Sequence, residues 1–354
     1  MSLRRSLWSG AVLSLAGVLA LSVGASAASV QITETGSSLL YPLFNEWAPA
    51  YGQANPGVQI TPQSTGSGTG ISDAENGTID IGASDAYVST ALMAQHPNLL
   101  NIPVAVSAQQ VMYNLPGLNK THIHLNGPVL AAIYMGKITK WNDSAIAKLN
   151  PGVKLPNLPV VPIHRADGSG DTFLFTQYLS FTTKAWNHGP NYGTTISWPS
   201  VPGSISATGN QGMVQQLTDY PGAVAYIGIS WLTPALKDGL GEAALQNKAG
   251  QFLLPNNTTI GAAVAVMAKH TPKSERLSLI NAPGKNSYPI INYEYVIVSK
   301  SYSNSALASA IKKFLLWAID PSQGGNAKYL GQVHFLPLPS GVMPLSTNQI
   351  DEIH

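Results

Sequence analysis

At 354 residues the chain is long enough for two ordinary domains around one cleft, and its 44% apolar content is ample for their cores. Charged residues make up only 10%, against roughly 25% in an average soluble domain, so each charge present is expected to have a specific job. The 19 basic and 17 acidic residues leave a net charge of +2, which gives no footprint for nucleic acid, DNA included, or for an anionic membrane, and the lack of cysteine excludes disulfides, thiol catalysis, iron–sulfur clusters and a lipid-modified Cys.

In chain order, an export signal comes first. Arg4 and Arg5 precede an apolar stretch from Ala11 to Val23 that ends in Ala25-Ser26-Ala27, the small-x-small pattern a signal peptidase cuts. That stretch falls short of the ~20 residues a membrane span needs. Residues 1–27 are therefore expected to be removed, leaving a periplasmic or secreted protein with no lipid anchor. Strands are then expected over Val30–Thr33, Val58–Thr61, Ile79–Ala83 and Pro159–His164, and helices over Asn45–Tyr51, Ser144–Leu149, Thr172–Leu179 and Ala306–Ile319. The alternation predicts parallel strands joined by crossover helices, an α/β architecture. No low-complexity linker divides the chain, so two domains have to interleave by sharing crossover strands. Trp47, Trp141 and Tyr178 read as core fillers, and His122-Ile123-His124 as an exposed strand or loop.

Three of the expected strands run into the same kind of turn: Gly36-Ser37-Ser38-Leu39, Gly66-Ser67-Gly68-Thr69-Gly70 and Gly168-Ser169-Gly170-Asp171-Thr172. Each precedes a segment able to start a helix. Helix N-termini leave N–H groups unpaired and carry partial positive charge, glycine admits close backbone approach, and serine adds a hydroxyl. Three such loops at the carboxyl ends of parallel strands would converge on one small anion. Each loop alone is better explained by a capping residue on a tight turn, and only their repetition beside an arginine favours the anion. Arg165, beside the third, supplies a planar fork of donors suited to an oxyanion, or a salt bridge to Asp167.

Other chemistries lack their motifs. No G-x-x-x-x-G-K-[ST] exists, and the 66–70 loop closes one residue too early for G-x-G-x-x-G. The nearest approach to a hydrolase elbow, Gly82-Ala83-Ser84-Asp85-Ala86, ends wrongly. The eight histidines are scattered rather than clustered as metal ligands. Asp85, at the end of an apolar strand, and Asp171, among the donors of the third loop, would repel any anion unless it carries a proton to donate. Phosphate near neutrality keeps one and sulfate keeps none, so a carboxylate in a dry site admits the first and penalises the second. A binder of another tetrahedral oxyanion such as sulfate and a secreted adhesin or signalling protein are the alternatives.

The segments TGSSLLYPLFNEW, TGSGTGI, IDIGASDAYVS, KITKWND, LNPGVKLP, HRADGSGDTFLFTQYL, PGAVAYIGIS and YPIINYEYVIV together resemble the phosphate-binding proteins of phosphate-specific ABC importers, the PstS family. The resemblance covers essentially the whole chain after residue 27, and its R-x-D-G-S-G loop is highly specific. It implies a type II periplasmic binding protein: two α/β lobes, about 28–107 with 291–354 and 108–290, joined by crossover hinge strands that close on phosphate. It implies inorganic phosphate as ligand, no cofactor or metal, no enzymatic activity, a monomer, and the membrane permease subunits of an ABC importer as partner. The phosphate contacts it implies fall on Ser37, Ser38, the backbone N–H of Leu39, Ser67, Asp85, Arg165, Ser169, Gly170 and Asp171, with Asp167 holding the arginine. Many members carry threonine at position 171. The aspartate here leaves two readings: a second proton acceptor beside Asp85, or a partner of Arg165.

Overall fold

The computed structural model describes residues 29–354, so the export signal read over 1–27 lies outside the described residues. These residues lay down twelve strands: β1 (Val30–Gly36), β2 (Val58–Ser64), β3 (Ile81–Ser84), β4 (Leu99–Tyr113), β5 (His124–Leu125), β6 (Val161–Arg165), β7 (Ile205–Ala207), β8 (Ala223–Gly228), β9 (Gly241–Glu242), β10 (Ala244–Gln246), β11 (Phe252–Leu253) and β12 (Ile291–Ser299). Nine form one sheet in the order β2-β1-β3-β12-β4-β8-β6-β7, with β9 paired to β4, while β11-β10-β5 form a small second sheet.

Within each half the expected parallel pairing is present: β1 with β2 and β3, and β6 with β7 and β8. Helices Tyr41–Ala54 and Ser67–Asn76 connect strands of the first half, and Gly170–Thr182 and Gly209–Asp219 those of the second. The strands joining the halves are antiparallel, which the parallel-only expectation did not include. The chain leaves the first half along β4 and returns along β12, and an outgoing strand beside a returning one must be antiparallel. β4 pairs with β12 through Leu99–Ala108 and with β8 through Gln109–Tyr113. All fifteen of its residues are buried. The β4–β12 register shifts between Glu294, opposite Ala105, and Tyr295, opposite Pro103. Proline has no N–H for the ladder, so it is accommodated at an irregularity.

Trp47, Trp141 and Tyr178 are core residues, each with its polar atom satisfied: Trp47 Nε1 donates to Gly324 O at 2.9 Å, Trp141 Nε1 to Gly222 O at 2.8 Å, and Tyr178 OH to Gln246 O at 2.9 Å. His122 is exposed at a turn with φ 51° and His124 is half-buried against Phe252. Among the described residues no group of three His, Cys, Asp or Glu side chains is placed to hold a metal ion, and no helix is long and apolar enough to cross a membrane.

The core also holds carboxyl groups. Neither carboxyl oxygen of Glu34 has a hydrogen-bond partner, and Glu275 accepts from Ser346 Oγ at 2.7 Å and Gln349 Nε2 at 2.6 Å. Burial pushes Glu242 and Glu275 up to about 7 and Glu34 well above the ordinary glutamate value of 4.5. In the unfolded chain these groups lose their protons near the ordinary value, while the folded protein retains them. Their stabilising contribution is therefore fully present below that value and is lost as pH rises through the folded pKa, by up to about 3 kcal/mol for each of Glu242 and Glu275. The melting temperature is expected to be several degrees higher at pH 5 than at pH 8. A calorimetric scan series showing a flat or rising melting temperature over that interval would contradict this.

Candidate functional site

β1 ends at Gly36, whose φ of 141° suits glycine and at which a Cβ would collide with the Ala83 carbonyl oxygen. This close approach sets the first loop against the end of β3. Ser37 Oγ accepts the N–H groups of Leu39 at 3.0 Å and Leu40 at 2.9 Å, and donates to Asp85 Oδ1. At the end of β2, Ser67 starts the helix Ser67–Asn76; its Oγ lies 3.4 Å from Asp85 Oδ2 and accepts the Asp85 N–H at 3.2 Å. At the end of β6, Ser169 caps the helix Gly170–Thr182 by accepting the Thr172 N–H at 3.2 Å. The second and third loops touch directly, with Gly68 N–H donating to Gly168 O at 2.9 Å. Ser37, Ser67, Asp85, Ser169 and Gly170 are thus brought together at the carboxyl ends of parallel strands.

Arg165 is 3% exposed and bound on two sides. Nε donates to Asp167 Oδ1 at 2.7 Å, Nη2 to Asp167 Oδ2, and Nη1 to Asp171 Oδ2 at 3.1 Å. Of the two readings of Asp171, this geometry is the pairing one. Its Oδ1 also accepts from Gln109 Nε2 at 2.9 Å, and its Oδ2 from Asn210 Nδ2 at 2.6 Å. Asn210 in turn donates its N–H and Nδ2 to Ser38 Oγ, both at 3.0 Å, while its Oδ1 accepts Gly228 N–H at 2.9 Å. Ser38 is therefore linked to Asp171 and Arg165 through one asparagine. The Leu39 side chain is buried, its N–H is given to Ser37 Oγ, and its carbonyl accepts from Ser230 Oγ at 2.7 Å. Trp231 Nε1 closes the first loop from outside by donating to Ser38 O at 2.9 Å.

Asn210 and Gln109 were not read from the sequence. Asn210 stands in ISATGNQG, the same strand-glycine-helix pattern as the other three loops but without their serine. Its signal was available. Gln109 gave none, since it sits within a long buried strand.

The charges here are held out of water. Burial first, then the negative charge of Asp171, raises Asp85 to about 7; the hydrogen bond from Ser37 and the charge of Arg165 oppose that rise. Burial also raises Asp171, against the pull of Arg165. For Asp167 burial works upward, but Arg165 more than offsets it and holds the carboxyl below the usual range. The site combines a guanidinium, several helix N-termini, serine hydroxyls and an acceptor carboxylate, a set suited to a protonated oxyanion. A wider groove of about 720 Å³, lined by Tyr51, Lys313, Trp317, Asp320 and Met343 among others, shares no residue with it.

A methyl group at Gly170 would stand 2.5 Å from Ser67 Oγ and 2.6 Å from Asp85 Cβ. Gly170→Ala is therefore expected to hold the third loop away from the second while leaving the helix intact. Overpacking of about 1–3 kcal/mol translates into roughly 5- to 150-fold weaker anion binding. Unchanged affinity by titration calorimetry would show that the loops do not close on the ligand.

Comparison with known proteins agrees with this architecture. A family model described as a PBP superfamily domain matches residues 22–322. The phosphate-binding protein PstS of Xylella fastidiosa is 33% identical over 315 residues, covering 89% of this chain and 83% of that protein. That of Pasteurella multocida is 35% identical over 312 residues, covering 88% and 87%. Among solved structures, a phosphate-binding protein from Stenotrophomonas maltophilia superposes with a TM-score of 0.69 at 19% identity, covering 90% of this chain and 94% of that one, a likeness of fold. With two α/β halves joined by β4 and β12, a superfamily match over most of its length and relatives of this identity, the chain belongs to the PstS family of phosphate-binding proteins and has the type II periplasmic binding protein fold.

Proposed function

We propose that this protein captures inorganic phosphate outside the cytoplasmic membrane and delivers it to the permease subunits of an ABC importer. The observation that carries the reading is Asp85. This carboxyl is 2% exposed, stands among serine-bearing loops and accepts from Ser37 Oγ and Ser67 Oγ, so in its ionised form it meets an anion only as a hydrogen-bond acceptor. Phosphate supplies the proton it needs. Sulfate supplies none at neutral pH, and the curated relatives are named for phosphate.

In this reading the ligand is surrounded by Ser37, Ser38, the N–H of Leu39, Ser67, Asp85, Arg165, Ser169, Gly170 and Asp171, with Asp167 and Asn210 fixing the guanidinium and Asp171. Ser37 Oγ and the Leu39 N–H, now given to each other and to Asp85, turn to the phosphate oxygens. The lobes are 28–107 with 291–354 and 108–290, and they rock about the segments where β4 and β12 pass between them. Export rests on the signal read over 1–27, and the protein acts as a carrier without catalysis. Native mass spectrometry of freshly purified protein tests the reading: one co-purifying phosphate per chain is expected. A bound sulfate, or turnover of a phosphomonoester that persists through stringent purification, would overturn it.

A further inference from the structure

We propose that Glu294 is a proton-holding positioning residue for phosphate recognition: its carboxyl stays neutral and donates its proton to Asp85, so that Asp85 meets the ligand as an ionised acceptor. The inference rests on the phosphate reading and adds to it a residue that touches no ligand.

Glu294 is fully buried on β12, at the register shift opposite Ala105. Its Oε1 lies 2.5 Å from Ser107 Oγ, whose single hydroxyl proton is shared with Asn292 Oδ1 at 2.7 Å, and accepts from Asn292 Nδ2 at 3.0 Å, while Oε2 is buried with no donor in reach. Asn292 Nδ2 also lies 3.3 Å from the Asp85 carbonyl, so one amide spans the two residues, and Tyr295 beside Glu294 pairs with Ser84 beside Asp85. Two ionised carboxylates are acceptors only and repel each other in a dry site, which favours one of them carrying a proton. Oε2 of Glu294 is the oxygen left for it.

The surroundings decide which carboxyl keeps the proton. Asp85 has the hydroxyl groups of Ser37 and Ser67 on its two oxygens and the charge of Arg165 across the cleft, all of which favour its ionised form. Glu294 has two neutral donors on one oxygen and no cation among its influences, and burial followed by the Asp85 charge raises its pKa well above the ordinary value. The charged and titratable groups facing the pair are Asp171 from the helix Gly170–Thr182 and Arg165 from β6, with Asp167 behind the guanidinium. β4 contributes Ser107, β12 itself Asn292, and the first two loops Ser37 and Ser67, all uncharged.

Glu294→Gln preserves the shape and a donor toward Asp85, whereas Glu294→Leu preserves neither. Infrared difference spectroscopy of the ligand-free protein at neutral pH, wild type against Glu294→Gln, reads the proton directly. Loss of a protonated-carboxyl carbonyl band is expected, and loss of carboxylate stretches in its place would overturn the proposal. In phosphate titrations, Glu294→Gln is expected to bind within about threefold of wild type with its pH profile unmoved. Glu294→Leu removes a donor from the ionised form of Asp85, raises the pKa of that aspartate, and should shift the acid limb of phosphate binding upward by about one pH unit. A purely structural role would weaken binding equally at every pH. An unshifted acid limb in Glu294→Leu, or tenfold weaker binding in Glu294→Gln, contradicts the assignment. Should Glu294→Leu fail to fold, the infrared measurement decides alone. Should the wild type bind no phosphate, the functional reading falls while the spectrum still tests where the proton resides.

Discussion

Replacing Asp85 by asparagine is expected to weaken phosphate binding by roughly 10- to 100-fold, the cost of one charge-assisted hydrogen bond, while binding of sulfate improves or holds. The reason is the change in what position 85 offers. An ionised carboxylate accepts only, and penalises any ligand oxygen that carries no proton. An asparagine presents an amide donor as well, which a fully deprotonated oxyanion can use. Ser37 Oγ and Ser67 Oγ direct hydrogen bonds at the two Asp85 oxygens, so the side chain is held in place and the substitution alters chemistry more than position. Parallel calorimetric titrations with the two anions measure the ratio. A phosphate-to-sulfate preference equal to that of wild type would remove Asp85 from the selectivity mechanism.

The second large effect is expected at Arg165. Its guanidinium neutralises two carboxylates, Asp167 at its Nε and Nη2 and Asp171 at its Nη1, and Asp171 is 0% exposed. Arg165→Met leaves that carboxylate without its cation in a dry site. The expected loss is about 3–5 kcal/mol of stability, together with phosphate affinity below detection. The loss depends on pH with a definite sign. Asp171 is already raised by burial and rises further without Arg165, so the penalty is largest at and above neutrality and shrinks as acid protonates the group. Adding Asp171→Asn should recover most of the stability without recovering binding, because the asparagine needs no counter-charge but supplies none to the ligand. If thermal unfolding shows Arg165→Met within 1 kcal/mol of wild type at pH 8, the arginine is not holding the buried charge together. Arg165→Lys is expected to rescue only partly, since an ammonium lacks the fork that spans Asp167 and Asp171 at once.

What the sequence made legible was the local chemistry. Gly36-Ser37, Gly66-Ser67 and Gly168-Ser169-Gly170 each combine a strand end, a glycine needed for close backbone approach and a serine next to a helix start, and this pattern is written in consecutive residues. The helix over Ala306–Ile319 and the strand over Val30–Thr33 were equally readable from periodicity and lie within the observed Ser305–Ile319 and Val30–Gly36. Ile79–Ala83 was read two residues too early: the strand starts at Ile81, and Asp80 instead accepts the Thr33 N–H at 2.7 Å from the neighbouring strand.

The long central strand was not legible. Leu99–Tyr113 contains Pro103, Gln109 and Gln110, residues that normally argue against a buried strand, and only the pairing with β12 and β8 explains their presence. The same holds for the residues behind the site. Glu294 meets Asp85 across more than two hundred residues of chain because β12 returns beside β3 and β4. Asn210 meets Ser38 because the loop after β7 comes against the loop after β1. Such contacts are products of topology, and no local pattern encodes them.

The central claim, that an acidic side chain selects the anion by the hydrogen it carries, is tested most directly by displacement calorimetry on the unmodified protein at neutral pH. Phosphate is titrated into protein equilibrated with a large excess of sulfate. The expected result is a phosphate isotherm indistinguishable from that in sulfate-free buffer of matched ionic strength, because sulfate does not enter the site. A phosphate affinity that falls in proportion to the sulfate concentration would mean that both anions occupy it alike, and would contradict the claim.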